Sequence, residues 1–246
     1  INKRAGRKLL PSIGVSVVLI ALVWTALATY RVIFASIVAL AMVLGVREMV
    51  GALKKADIEL SFIALALASI GMAAAAWFGG VNGLAVATAI ALPWLLAILL
   101  PKGPENFIRS ASAYALTLIY IPFLAGFLIL LARPHNGLER VMTFVILIAC
   151  NDTFAYLTGL ALGKHTMAPR ISPKKTWEGF IGSIVFTTIA GAIAFHLILD
   201  AQVWIGALAG LLVVISGTSG DLIESAIKRD LAIKDMGDLL PGHGGV

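Results

Sequence analysis

The stretch from Leu60 to Leu100 reads LSFIALALASIGMAAAAWFGGVNGLAVATAIALPWLLAILL and contains no charged side chain. A helix needs about 20 apolar residues to cross ~30 Å of hydrocarbon, so this stretch is long enough for two crossings. Its centre, residues 79–83, is Gly-Gly-Val-Asn-Gly, a composition that favours a turn. The run is continuously apolar rather than alternating, which excludes spanning β-strands. We therefore predict two membrane-spanning helices, 60–79 and 81–100.

The rest of the chain continues this pattern. Its 246 residues are 60% apolar and 13% charged, with a mean hydropathy of +0.98, whereas soluble domains are roughly half apolar and a quarter charged. The sequence predicts an all-α polytopic membrane protein. Cys150 is the single cysteine, so no disulfide framework is expected. Eight membrane spans are predicted, at residues 11–30, 32–50, 60–79, 81–100, 111–132, 140–162, 179–199 and 202–219.

The distribution of basic residues predicts how these spans are oriented. With a cytoplasmic N-terminus, 16 of the 19 Lys and Arg residues fall in cytoplasmic segments, as the positive-inside rule favours. The pI near 9.6 therefore reflects membrane orientation, and no nucleic-acid partner is expected. Two polar segments, 163–178 and 220–246, are predicted to share the cytoplasmic face. We divide the chain into N-terminal membrane helices, 1–140, and a C-terminal membrane domain, 141–246, that carries both polar segments and is the candidate functional domain.

The second polar segment begins with a stripe of chemically useful side chains. Asp221, Glu224, Ser225 and Lys228 share one face of a helix. Two carboxylates there can bind a divalent cation that bridges phosphate oxygens, and the ammonium group can neutralise phosphate charge. The alternative is a solvated amphipathic helix with intrahelical ion pairs. The small polar residues 216–220 are predicted to open this helix and to offer free N–H groups to an anion.

A second cluster follows in the same segment. Lys234 and Asp235 precede Leu240-Pro241-Gly242-His243-Gly244-Gly245. The glycines permit close approach of the backbone to a ligand. His243 offers a donor or a metal ligand, and Gly244 is a candidate for backbone contact.

The loop at 163–178 has a composition suited to a polyphosphate. Its cationic side chains can neutralise charge and its hydroxyls can position phosphate oxygens. The alternative is a basic loop that touches anionic lipid headgroups, which does not explain the order Ser-Pro-Lys-Lys-Thr-Trp-Glu-Gly. The candidate residues are Lys164, Arg170, Ser172, Lys174, Lys175 and Thr176.

Asp152 lies near the middle of the sixth predicted span, next to Asn151. An ionisable residue at that depth is a functional hypothesis by default. Asp152, Tyr156, Gly159 and Gly163 share one helical face that leads towards the basic loop, which predicts a polar cavity. The alternative is an Asp that is hydrogen-bonded between helices.

These segments resemble a known family. Ser225-Ala226-Ile227-Lys228-Arg229, Lys234-Asp235-Met236-Gly237 and the Leu240–Gly245 motif are similar to the signature of phosphatidate cytidylyltransferases (CDP-diacylglycerol synthases). The Ile171–Gly179 block and the stretch from Asn151 to Lys164 match the same family. The resemblance is specific over residues 150–246 and rests on topology alone before residue 140.

The resemblance implies transfer of CMP from CTP to phosphatidate, which gives CDP-diacylglycerol and pyrophosphate. It implies Mg²⁺ held by Asp221 and Glu224, a second, monovalent cation such as K⁺, a homodimer and a bacterial inner membrane location among membrane lipids. It also places an Asp-Arg-x-Asp motif and a final helix after residue 246. Asp221, Lys228, Asp152 and Lys175 become catalytic candidates. The implied substrate-binding residues are Lys164, Ser172, Lys174, Thr176, Glu178, Ser225, Arg229, Lys234, Asp235, His243 and Gly244.

Two other functions stay open on the sequence. A CDP-alcohol phosphotransferase would carry Asp-Gly-x2-Ala-Arg, which is absent from this sequence. A transporter of anionic solutes would place charges in several helices and show repeated halves, but only Asp152 is plainly intramembrane.

Overall fold

The computed structural model describes residues 21, 24–233 and 236–237. Most of the predicted first span and four candidate site residues, Lys234, Asp235, His243 and Gly244, lie outside the described residues. Residues 24–29 are helical. The helices that follow are α1 (Arg31–Lys54), α2 (Phe62–Ala97), α3 (Phe107–Leu118), α4 (Leu124–Ala132), α5 (Gly137–Leu162), α6 (Trp177–Leu199) and α7 (Val203–Asp230). Two strands, β1 (Thr166–Ala168) and β2 (Ser172–Thr176), lie between α5 and α6.

The prediction of an all-α membrane protein is confirmed. Within the part of the chain that the structure describes, six helices are long and apolar enough to cross a membrane, with α2 counted as one helix and α3 with α4 as one. A π-helical turn at Ile119–Phe123, which contains Pro122, joins those two helices, since a proline inside a helix removes a backbone donor. The chain is therefore an integral membrane protein. The number of eight spans stays a prediction.

Helix α2 contains a sharp break at Gly80. This residue has φ 65° and ψ −148°, a conformation that only glycine adopts readily. A continuous helix of 36 residues would be ~54 Å long, well beyond ~30 Å of hydrocarbon. A Cβ on Gly83 would collide with the carbonyl oxygen of Ala75, although eight residues of straight helix cover ~12 Å. The predicted spans 60–79 and 81–100 are therefore separate helical segments.

Arg133 holds this break in place. Its guanidinium donates to the carbonyl oxygen of Phe78 at 3.3 Å, one of the carbonyl groups left without a helical partner where a helix ends. A Cβ on Gly80 would lie 2.7 Å from Nη1 of Arg133. The break thus needs glycine for its backbone angles and for the space that the guanidinium occupies.

One predicted boundary is wrong. Residues 216–220 were expected to begin a helix, but α7 runs without a break from Val203 to Asp230. The backbone N–H groups in this segment belong to the helix interior, and Ser216 Oγ donates to the carbonyl oxygen of Leu212 at 2.7 Å. Free N–H groups occur only in the first turn of a helix, so an anion site formed by free backbone N–H groups at 216–220 is excluded. The predicted span 202–219 is the first part of a longer helix.

The described residues form two compact units, one within 1–137 and 233–246 and the other within 138–232. In the first unit, α1, α2, α3 and α4 enclose an apolar core that includes Met42, Val46, Leu65, Met72 and Leu118. The second unit consists of α5, the two strands, α6 and α7. The predicted functional division at residue 140 stays a prediction.

In the second unit, glycines let the helices approach closely. A Cβ on Gly191 of α6 would lie 3.1 Å from the Cα of Gly210 in α7, and a Cβ on Gly206 would lie 2.6 Å from the Cβ of Phe195. Gly206 and Gly210 are four residues apart, a spacing that brings membrane helices into backbone contact. This contact fixes α7 against α6.

Helix α5 meets α6 in a similar way. A Cβ on Gly179 would lie 2.7 Å from the carbonyl oxygen of Ala155 and 3.3 Å from the Cα of Gly159. The hydroxyl of Thr158 lies 3.3 Å from the carbonyl oxygen of Gly179, to which it donates. The start of α6 is therefore held directly against the second half of α5.

Candidate active site

A short β-hairpin carries the basic segment. Strands β1 and β2 are antiparallel, with Thr166 opposite Thr176 and Ala168 opposite Ser172. The Trp177 N–H donates to the His165 carbonyl oxygen at 2.9 Å, which closes the open end of the hairpin. The structure thereby turns the loop predicted at 163–178 into an ordered arm. No strand was predicted there.

The hairpin is joined rigidly to α6. Thr176 is the N-cap residue of that helix, and its Oγ1 accepts a hydrogen bond from the Gly179 N–H at 3.1 Å. Such a cap stabilises a helix by about 0.5–2 kcal/mol. Gly163, at the end of α5, lies against the same threonine, since a Cβ there would lie 2.9 Å from Thr176 Cγ2. Thr176 therefore sets the position of β2 relative to both α5 and α6.

Glu178, a predicted substrate-binding residue, lies at the base of the hairpin. Its Oε1 lies 2.6 Å from Nδ1 of His165, and its Oε2 accepts the His165 N–H at 3.2 Å. Glu178 is not among the residues that line the cavity described below. Its contacts with His165 stabilise the base of the hairpin, beside the cavity.

Helix α5 contributes the polar pair that the sequence singled out. The Asn151 Nδ2 donates to Oδ1 of Asp152 at 3.0 Å. Asp152 and Tyr156 both line the cavity, and Gly159 and Gly163 both lie against Thr176. The predicted helical face from residue 152 to residue 163 is confirmed. The hydrogen bond also agrees with the alternative interpretation in part, because Asp152 has a polar partner, although that partner lies on its own helix.

An ion pair joins the hairpin to α7. Nζ of Lys175 lies 2.7 Å from Oδ2 of Asp221, although the two residues are 46 positions apart in the sequence. The lysine side chain is 28% exposed and the aspartate side chain 57% exposed. The two polar segments that were predicted to share one face therefore meet at their charged residues.

These elements surround one cavity of about 350 Å³. It has a cationic side with hydroxyl groups, an acidic and amide side, and an apolar wall. The cationic side and the hydroxyls suit phosphate oxygens, whereas the carboxylates suit a hard cation. The lining residues are Asn151, Asp152, Ala155, Tyr156, Met167, Ser172, Lys174, Lys175, Thr176, Gly179, Phe180, Thr218 and Asp221.

Of the four residues predicted to share one face of α7, only Asp221 lines the cavity. Glu224 and Lys228 form an ion pair at 2.6 Å, four residues apart on the same helix, as the alternative interpretation of an amphipathic helix expected. Arg229 Nε donates to the Ile171 carbonyl oxygen at 3.5 Å. Ser225 is partly buried, and Arg229 does not line the cavity. Lys164 is exposed and does not line it either.

Several lining residues were missed by the sequence analysis: Ala155, Met167, Phe180 and Thr218. Thr218 could have been found, because residues 218, 221 and 225 follow helical spacing. It was overlooked because the helix was expected to begin at 216–220. The apolar residues carry no chemical signal in a sequence that is mostly apolar.

The carboxylates of the cavity are too few to complete a cation site by themselves. In the described part of the chain, no group of three or more His, Cys, Asp or Glu side chains is placed to hold a metal. Asp152 and Asp221 line the same cavity, and carboxylate oxygens are the ligands that Mg²⁺ prefers. Such an ion commonly keeps waters and takes substrate phosphates as further ligands. The two carboxylates are therefore the right type of ligand for Mg²⁺, although they would not be its only ligands.

Comparison with known proteins supports the chemistry that the cavity suggests. The sequence model of the cytidylyltransferase family matches residues 12–246. The chain belongs to the cytidylyltransferase family. This family match covers both compact units, and so it includes the N-terminal helices, for which the sequence motifs carried no specific signal.

Individual relatives of the chain are named phosphatidate cytidylyltransferase. A phosphatidate cytidylyltransferase of Mycobacterium bovis is 36% identical over 261 aligned residues, covering 100% of this chain and 84% of the relative. One from Mycobacterium tuberculosis (strain CDC 1551 / Oshkosh) is also 36% identical, covering 100% of this chain and 79% of the relative. One from Staphylococcus haemolyticus is 31% identical over 76% of this chain and 70% of its own length.

Proposed function

We propose that this protein is a phosphatidate cytidylyltransferase that transfers CMP from CTP to phosphatidate and releases pyrophosphate. Two observations support the activity. The chain belongs to the cytidylyltransferase family, and it aligns over its whole length with relatives named phosphatidate cytidylyltransferase. The observation that carries the assignment to this cavity is the contact between Lys175 and Asp221. It joins a cationic hairpin to an acidic helix at one cavity, as a site for a metal-bound triphosphate requires.

The reaction is a displacement at phosphorus. An oxygen of the lipid phosphate forms a bond to the α-phosphorus of CTP, the bond from that phosphorus to the bridging oxygen breaks, and pyrophosphate leaves. Catalysis of this kind depends mainly on positioning and on neutralising charge. Lys174 and Lys175 supply positive charge at the cavity, and Ser172 supplies a hydroxyl. Thr176 keeps a hydroxyl proton to donate while its oxygen caps α6.

Asp221 and Asp152 are the cavity carboxylates available to a cation. Bound Mg²⁺ would neutralise triphosphate charge and orient the phosphates for in-line attack. Oδ2 of Asp221 is engaged by Lys175, so Oδ1 is the oxygen left to a metal. Glu224, the second predicted ligand, is paired with Lys228 and would support Asp221 from one helical turn away. A monovalent cation such as K⁺ is proposed to share the site.

The site is proposed to open towards the cytoplasm, where CTP is available. The support is the excess of Lys and Arg in the segments assigned to that side. Phosphatidate would reach the site from the bilayer, so that its acyl chains stay in hydrocarbon. A homodimer is proposed from the family resemblance alone.

The activity is tested with purified protein in liposomes that contain phosphatidate. We expect pyrophosphate and CDP-diacylglycerol to form in equal amounts, only when CTP and Mg²⁺ are both present. Liposomes without phosphatidate serve as the control. Flux of an anionic solute without pyrophosphate release would overturn the proposal and favour a carrier.

A further inference from the structure

Asn151 lies in the cavity, yet the proposed reaction gives it no task. It sits in the middle of α5, is 4% exposed and lines the cavity beside Asp152. A buried amide in a membrane helix is costly unless its groups are hydrogen-bonded. The question is therefore what each of its two polar atoms contacts.

The hydrogen bond to Asp152 fixes which way the amide faces. Carboxylate oxygens accept hydrogen bonds and the amino group of an asparagine donates them, so the amino group is the part of the amide that suits Asp152. Nδ2 lies 3.0 Å from Oδ1 of Asp152. The carbonyl oxygen of Asn151 consequently points away from Asp152.

That carbonyl oxygen, Oδ1, is buried and receives no hydrogen bond from any of the described residues. Leaving such a group unsatisfied is destabilising, because its hydrogen bonds to water are lost and not replaced. Thr143, eight positions earlier on α5, also has a buried hydroxyl oxygen without a partner among these residues. Thr143 does not line the cavity, so a ligand there can satisfy Asn151 but not Thr143.

Helix α7 passes close to the amide of Asn151. A Cβ on Gly217 of α7 would lie at an ordinary van der Waals distance of 3.4 Å from Nδ2 of Asn151, so there is space for no more than a small side chain at this position of α7. Asn151 thus lies between Asp152 and α7 at the cavity wall, and its acceptor oxygen has no partner among the described residues.

The substrates differ in whether they can donate to this oxygen. Phosphate groups and acyl esters offer acceptor oxygens, which a carbonyl oxygen repels. The nucleoside part of CTP carries donors, the amino group of cytosine and the hydroxyls of ribose. We propose that Oδ1 of Asn151 accepts a hydrogen bond from a nucleoside donor of CTP, which makes Asn151 a specificity-determining residue. This inference rests on the proposed function.

The test compares CTP with UTP, which lacks the amino group, and with dCTP, which lacks the 2′-hydroxyl. A site built to bond a substrate N–H or O–H rejects the analogue without it, because its own polar group is then left unpaired. We expect wild-type protein to prefer CTP over one of these analogues by roughly 10-fold or more in kcat/KM. In Asn151→Leu the preference for CTP over that analogue should fall to about twofold or less. The preference for CTP over the other analogue should stay unchanged.

Ratios measured on one preparation do not depend on how much of the variant is folded. Thr143→Val is the matched control, a buried change on the same helix that should leave both ratios at their wild-type values. If Asn151→Leu has no turnover, the rise in Tm given by each nucleotide replaces kcat/KM.

Wild-type ratios retained in Asn151→Leu would overturn the inference. So would an equal loss with all three nucleotides together with an altered Mg²⁺ requirement, which would assign Oδ1 to a cation. Failure of wild-type protein to release pyrophosphate from CTP would refute the proposed function instead, and the Tm shifts would still test nucleotide recognition.

Discussion

Lys175 and Asp221 show how one contact can connect distant parts of a sequence. Each residue belongs to a different polar segment, and either one alone is compatible with an ordinary surface charge. Their separation of 2.7 Å places an ammonium and a carboxylate group at the same cavity. An exposed ion pair contributes little to stability, commonly below about 1 kcal/mol. We therefore expect the main effect of these side chains on the reaction rather than on folding.

Replacing Lys175 with Met tests that expectation. The variant loses the charge that is available to the triphosphate, and we expect kcat/KM for CTP to fall about 10- to 100-fold, as for loss of a hydrogen bond to a charged group. The Tm should change little. Lys55→Met, at the exposed C-cap of α1, is the matched control. An unchanged kinetic profile for Lys175→Met would remove this lysine from the site.

At the level of helices and strands, the contact of α5 with α6 positions the hairpin. Gly179 lies in the first turn of α6, three residues after the cap at Thr176, and lies against α5 at Ala155 and Gly159. Any side chain at this position must push the helices apart. The hairpin would move with α6, because Thr176 belongs both to β2 and to the cap.

Gly179→Ala should therefore impair both stability and activity. The added Cβ would lie 2.7 Å from the Ala155 carbonyl oxygen, and overpacking of this kind costs about 1–3 kcal/mol. We expect a lower Tm in detergent and a higher KM for CTP.

Gly71→Ala on α2 is the control for this change. A Cβ there meets nothing within 4 Å, and alanine favours the helix by up to about 1 kcal/mol, so its Tm should stay the same or rise. Equal Tm values for Gly179→Ala and wild-type protein would contradict the described packing.

The sequence allowed most of these elements to be predicted, for definite physical reasons. Apolar runs give the membrane helices, and helical spacing placed Asp152 and Tyr156 on a common face. The boundary at 216–220 was mispredicted because small polar residues are typical both of helix starts and of close helix packing. The strands were not foreseen because Ser172–Thr176 contains proline and two lysines, and its pairing with Thr166–Ala168 arises from the contacts at its ends.

The charged residues of the candidate site could be predicted from the sequence. The apolar residues that shape the cavity could not. Lys174, Lys175, Asp152 and Asp221 were identified by charge in an apolar chain, and all four line the cavity. Met167 and Phe180 gave no such signal. The distinction between Asp221, which lines the cavity, and Glu224, which pairs with Lys228, depends on distances that helical spacing alone does not determine.

At the scale of the whole molecule, the proposed orientation in the membrane can be tested directly. Cys150 is the single cysteine, so a Cys150→Ala background permits one reporter cysteine at a time. His135→Cys and Arg170→Cys alter exposed positions on segments assigned to opposite sides. We expect a membrane-impermeant maleimide to label position 135 in intact cells, and position 170 only after lysis. Labelling of both positions in intact cells would refute the orientation.

The central claim is that the hairpin and α7 act on one triphosphate, and a double-mutant cycle tests it most directly. kcat/KM for CTP would be measured for Lys175→Met, Asp221→Asn and the double variant, with Asp200→Asn at the far end of α6 as the control. We expect Asp221→Asn to lose roughly 100-fold or more, as in sites where one electrostatic group is removed. The double variant should be little worse, since residues that act as a unit are not additive. Losses that multiply in the double variant would contradict a shared site.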